Sequence, residues 1–127
     1  MSWSFKETAE HFYPNAEVRK ATLMDIYNKG KSQTETTGFA VYALYIDGNL
    51  KKIGKAVFNK GLFTRMSQYY RLTKEGCEKI TNSNRNKIEV QYFFLDSKDD
   101  CWIAERRLQV DAWDNSEEMP WENKEHN

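Results

Sequence analysis

The chain of 127 residues has no run long and apolar enough to span a membrane. Its first residues, Met1-Ser2-Trp3-Ser4-Phe5-Lys6-Glu7, lack the basic-then-apolar pattern of a secretory signal, so the expected location is the cytoplasm. Cysteine is scarce: Cys77 and Cys101 are the two, and neither has a second Cys or His at metal-ligand spacing. Both are expected as reduced thiols, and a structural zinc site is not expected. Histidine is equally scarce, and His11 and His126 stand too far apart to suggest a metal pair or a catalytic dyad. Internal repeats and low-complexity segments are also missing.

Net charge is absent too, with 19 basic and 19 acidic side chains. Its distribution is uneven. Residues 1 to 37 hold five of each sign, residues 38 to 91 hold ten basic and four acidic, and residues 92 to 127 hold four basic and ten acidic. A centre of +6 is therefore balanced by a tail of −6. Phosphate backbones bind local positive surface, so this asymmetry permits a polyanion partner despite the zero sum.

What is present is enough for one compact core: 39% hydrophobic and 14% aromatic residues. A short helix is expected over residues 5 to 13, ended by Pro14, and a second over residues 16 to 28, where Leu23, Ile26 and Tyr27 recur at helical spacing before Gly30. A polar linker over residues 31 to 37 completes an N-terminal helical arm, residues 1 to 37, ahead of the main domain at residues 38 to 127.

From Gly38 the chain becomes β-rich, and Asp47-Gly48-Asn49 signals a hairpin turn before a second extended run from Leu50 to Ile53. Residues 61 to 72 are expected as a helix with Leu62, Met66 and Tyr70 on one face and Arg65 and Tyr69 on the adjoining one. A polar loop over residues 81 to 87, a third strand over residues 88 to 95 and a long helix over residues 98 to 113, started by Asp96-Ser97, complete the pattern. The expected fold is α+β: a small antiparallel three-stranded sheet flanked by helices.

On the last helix, Ala104, Leu108 and Ala112 form an apolar stripe with Cys101, and Glu105 falls beside it. A carboxylate there must be paired, bound to a cation or opened to a cleft, since burying it alone is too costly. A salt bridge and a metal site both satisfy that requirement.

The order Ala40-Val41-Tyr42, hairpin turn, Lys52-Ile53-Gly54-Lys55, Arg65 with Tyr69 one turn later, and Glu105 on a downstream helix resembles the GIY-YIG nuclease superfamily over residues 38 to 113. Lys-Ile-Gly in place of the second tyrosine motif is similar to the T5orf172-like branch. The resemblance implies a GIY-YIG-type endonuclease that hydrolyses phosphodiester bonds of DNA. It implies Tyr42, Lys52, Arg65, Tyr69 and Glu105 as catalytic residues, Lys55 and Arg65 as phosphate contacts, and Glu105 as ligand of one Mg²⁺, with Mn²⁺ as a substitute.

The chemistry gives each residue a reason: Mg²⁺ tolerates a single carboxylate plus waters, Arg65 offers a planar fork to phosphate oxygens, and Tyr42 is the general base if Lys52 and Lys55 lower its phenol pKa. The family often ends on an asparagine near the site, for which Asn115 and Asn123 are the candidates, with Trp121-Glu122 beside the latter. The small size suits a phage or mobile-element protein, and self-association would offer two sites to two strands. The alternative is a nuclease-like module that binds nucleic acid or a protein partner without efficient chemistry, suggested by Lys52 and the acidic tail.

Overall fold

Asp47 and Gly48 both adopt positive φ, 52° and 80°, which is the backbone of a two-residue hairpin turn that matches the twist of its flanking strands. They join β2 (Ala40–Ile46) to β3 (Asn49–Ala56). The computed structural model describes residues 3–30, 37–73 and 79–122. The chain is an α+β protein, with further elements α1 (Phe5–Phe12), β1 (Arg19–Thr22), α2 (Leu23–Lys29), α3 (Leu62–Tyr70), β4 (Ile88–Phe94) and α4 (Lys98–Asp114).

The sheet is antiparallel, but it has four strands, in the order β1-β4-β2-β3, where three were expected. The extra strand corrects the reading of residues 16 to 28 as one helix: residues 19 to 22 pair with β4, Arg19 opposite Tyr92 and Thr22 opposite Glu89. Pairing supplies the backbone of β4 with a partner on its outer side, and this non-local gain overrides local helical spacing. The helix starts only at Leu23, where the Thr22 hydroxyl accepts from the Asp25 N–H at 3.0 Å. Gly30 ends it at φ 82°, as expected of a C-terminal glycine. The other helix starts are similarly local: Ser4 caps α1 through Glu7 N–H and Ser97 caps α4 through Asp100 N–H, both at 3.1 Å.

β2 lies between β4 and β3 and is buried on both faces, which is why it reads as a continuous apolar run. Its side chains alternate between two cores. Val41, Ala43 and Tyr45 meet Phe5 and Ala9 of α1 and Cys101, Ala104, Leu108 and Ala112 of α4. Ala40, Tyr42 and Leu44 meet Leu23 and Ile26 of α2 and Leu62, Met66 and Tyr69 of α3. The apolar stripe expected on α4 is therefore the buried one. The N-terminal helices pack against the sheet, α1 in one core and α2 in the other.

Edge strand β3 is partly covered from outside. The Gln109 side-chain amide donates to the Ile53 carbonyl at 2.8 Å, and the Trp121 N–H donates to the Lys51 carbonyl at 2.9 Å. These carbonyls, two residues apart, share one strand edge, so α4 and the C-terminal segment both approach the second motif. Among the described residues, no helix is long and apolar enough to cross a membrane.

Candidate active site

Tyr42 and Gly54 are directly opposite each other in the hairpin. A Cβ at position 54 would lie 2.5 Å from the Tyr42 hydroxyl and 2.7 Å from the ring carbon bearing it. Only glycine lets the phenol cross the neighbouring strand, which gives the glycine of Lys52-Ile53-Gly54 a steric purpose. Beyond Gly54 the Tyr42 hydroxyl meets that of Tyr69 on α3 at 2.7 Å, with the two rings edge to face. The guanidinium of Arg65, one helical turn before Tyr69, interacts with both hydroxyls.

Burial opposes the charge of Arg65, but the phenolic oxygens of Tyr42 and Tyr69 outweigh it and hold its pKa above the usual value. Among the described residues no carboxylate pairs with Arg65, whereas Lys52 and Lys55 each have one. The guanidinium donors are thus held by two phenolic hydroxyls, an arrangement that leaves positive charge for an incoming anion.

The α3 end of the site is fixed by a close backbone approach. Gly61 at φ 59° forms a bridge with Gly38, and a Cβ on Gly61 would fall 1.8 Å from the Gly38 carbonyl oxygen. The Leu62 N–H donates to that same oxygen at 3.0 Å, so the start of α3 is tied to the start of β2.

Glu105 and Lys55 occupy the other face. Lys55 is opposite Val41, whose side chain lies in the α1–α4 core, while Lys52 is opposite Leu44 in the α2–α3 core. Side chains directly opposite in a ladder share a face, so the two lysines point to opposite sides of β3. Lys55 Nζ donates to Glu105 Oε1 at 3.1 Å and sits 3.5 Å from the ring centre of Trp102. Both options left open for Glu105 therefore bear on one side chain: it has its salt bridge, and 16% of it still faces solvent.

Lys52 links the faces electrostatically. Burial lowers its pKa, but Tyr69, Glu122 and Glu105 together outweigh this and raise it. Its ammonium donates to Glu122 Oε1 at 2.8 Å. Glu122 was not singled out from sequence; its only signal was the unassigned Trp121-Glu122 pair, and the bond from Trp121 to Lys51 is what delivers it. Gln109 was overlooked as well, because a polar residue on a helix face does not announce a strand carbonyl as its partner.

No family model matches this chain, and no curated protein or solved structure matches it either. The site therefore stands on its geometry.

That geometry corrects one expectation. Lys52 and Lys55 were to lower the Tyr42 pKa, but burial dominates and pushes it well above the ordinary phenol value; the neighbouring Tyr69 oxygen adds to the rise and Arg65 is the cation that opposes it. Tyr42 is a buried hydroxyl, neutral at ordinary pH and hydrogen-bonded to Tyr69. Asn115 is not drawn into the site: it ends α4, its side-chain amide donating to the Asp111 carbonyl at 2.8 Å. Asn123, Cys77 and His126 lie outside the described residues. Cys101 is a buried free thiol whose pKa is pushed up to about 11, first by burial and then by Asp100 and Glu105. It is protonated and unreactive at neutral pH.

Among the described residues no group of three or more His, Cys, Asp or Glu side chains could enclose a metal. Glu105, with one oxygen on Lys55 and partial access to water, fits the one mode that needs no such group, a Mg²⁺ that keeps most of its waters.

Proposed function

We propose that this protein is a metal-dependent endonuclease that hydrolyses phosphodiester bonds of DNA by a GIY-YIG-type, single-metal mechanism in the cytoplasm. The observation that carries this reading is the Arg65 guanidinium held against the paired Tyr42 and Tyr69 hydroxyls, with no carboxylate on it among the described residues. A hydroxyl-braced guanidinium is suited to neutralising charge that develops on a phosphate. Tyr69, backed by Tyr42, orients the attacking water. Lys52 stabilises charge between that hydroxyl pair and Glu105, and Lys55 is a further phosphate contact once substrate draws it from Glu105. Glu105 would hold one Mg²⁺, which supplies charge neutralisation and makes bound water more acidic.

The test is plasmid nicking with and without Mg²⁺, comparing the wild type with Arg65→Ala and Glu105→Ala. Mg²⁺-dependent cutting by the wild type, reduced about 100-fold or more in each variant, is expected. Equal cutting by all three folded proteins, or none by the wild type, overturns the reading.

A second reading is a nuclease-like module that binds nucleic acid or a protein without cutting. It is favoured by charge compensation: Lys52 is paired with Glu122 and Lys55 with Glu105. DNA or protein binding that persists without Mg²⁺ and in Glu105→Ala, with no strand cleavage, would select it.

A further inference from the structure

The strand β3 leaves the site through a tight turn over residues 58 to 61, closed by the Gly61 N–H donating to the Phe58 carbonyl at 2.9 Å. Asn59 takes the positive-φ position of this turn, at 58°. The turn holds Phe58 outward, 68% exposed, so its ring is open to solvent. Beside it lies a cleft of about 240 Å³, lined by Ala56, Phe58, Gly61, Thr64, Arg65 and Gln68. This is space on the scale of one nucleotide, not of a duplex.

The lining has the donors that a nucleotide needs. Arg65 forms the wall shared with the Tyr42–Tyr69 pair. Thr64 Oγ1 already accepts from the Lys60 N–H at 3.0 Å, so its own proton is left to donate to an anionic oxygen. Gln68, one turn further along α3, offers both a donor and an acceptor to a base edge. The floor is preset, because the Gly38–Gly61 bridge ties this turn and α3 to the sheet.

We infer that this cleft is a subsite for an unpaired nucleotide next to the phosphate bound by Arg65, with its base stacked on Phe58. The inference rests on the nuclease reading for the identity of that phosphate. Stacking on an exposed aromatic ring tolerates any base, because every base has a π face, but it requires the base to be freed from its own stack. The substrate class is accordingly single-stranded DNA, or a duplex with a splayed or unpaired nucleotide, in preference to intact duplex.

The experiment measures equilibrium binding, in EDTA so that no cutting intervenes, of the full chain to a fluorescein-labelled single-stranded oligodeoxynucleotide, to the same sequence as duplex, and to an abasic oligonucleotide of equal length. Phe58→Ala is the test variant, and Ile103→Ala, an exposed α4 residue that does not line the cleft, is the control. The wild type is expected to prefer the single strand. Phe58→Ala should lose roughly 5- to 100-fold on the single strand, the scale of one lost base–aromatic stack, and nothing on the abasic strand. Ile103→Ala should match the wild type throughout.

Equal binding of the single strand by wild type and Phe58→Ala overturns the subsite, as does an equal loss on the abasic strand or the absence of oligonucleotide binding. The two readings fail separately. Arg65- and Glu105-dependent cutting with an indifferent Phe58→Ala removes the subsite alone; Phe58-dependent binding with no cutting removes the nuclease reading alone.

Discussion

The two sides of strand β3 handle charge differently. On the α3 side a guanidinium is braced by two buried hydroxyls, and on the α4 side a carboxylate is neutralised by a lysine that also rests on an exposed tryptophan. The first arrangement is held by buried hydroxyls and has no carboxylate on Arg65 among the described residues. The second is compensated and partly open, so it can change partner at modest cost. One strand thus separates a hydroxyl-braced cation from an adjustable ion pair, with Lys52 in electrostatic reach of both.

The largest effect that sharpens this contrast should come from Gly54→Ala. The new methyl would displace the Tyr42 ring, costing about 1–3 kcal/mol in urea denaturation and disrupting the α3 side, while the Lys55–Glu105 pair stays in place. A variant as stable as the wild type would show that the α3 side is not rigid.

Next is Tyr42→Phe, which strips Tyr69 and Arg65 of a buried partner and should cost about 1–2 kcal/mol. Its pH dependence gives a second readout. In the fold the neutral Tyr42 phenol is favoured, so its contribution is complete below the ordinary phenol pKa and is lost as pH rises above about 10. Tyr45, raised to about 12 chiefly by burial, acts in the same direction. Stability measured from pH 8 to 12 should therefore fall above pH 10, less steeply in Tyr42→Phe. Identical alkaline curves would break the assignment of a buried neutral phenol.

The smallest effect on stability should come from Glu105→Gln, about 1 kcal/mol or less, because Gln can still accept from Lys55 and the lysine keeps its contact with Trp102. A loss of several kcal/mol in thermal unfolding would make the α4 pair as structural as the α3 network and remove the contrast.

Much of the frame was legible because its causes are local. Asp47-Gly48 has the residues that a positive-φ turn requires, Ser97 caps α4, and the stripe from Cys101 to Ala112 is the face that is buried. β1 was not legible: four residues, largely exposed, carry little pattern of their own, and Arg19–Thr22 become a strand because β4 lies beside them. The site divides in the same way. Arg65 and Tyr69, four apart on a helix, could be placed together from spacing alone, and Glu105 could be placed at the rim of a core. The direction of the Tyr42 pKa could not, because it depends on how deeply the ring is buried.

The sequence by itself determined the elements whose signals lie within a few residues: the hairpin, the helix caps and the apolar faces. Tertiary structure alone decided that Lys52 and Lys55 fall on opposite faces of one strand with separate carboxylates, that Glu122 arrives from the C-terminal segment, and that Tyr42 is sealed beneath Gly54. The physical reason is range. Turns and caps are satisfied by neighbours in the chain, whereas burial and charge pairing depend on which distant segments share the same edge of the sheet.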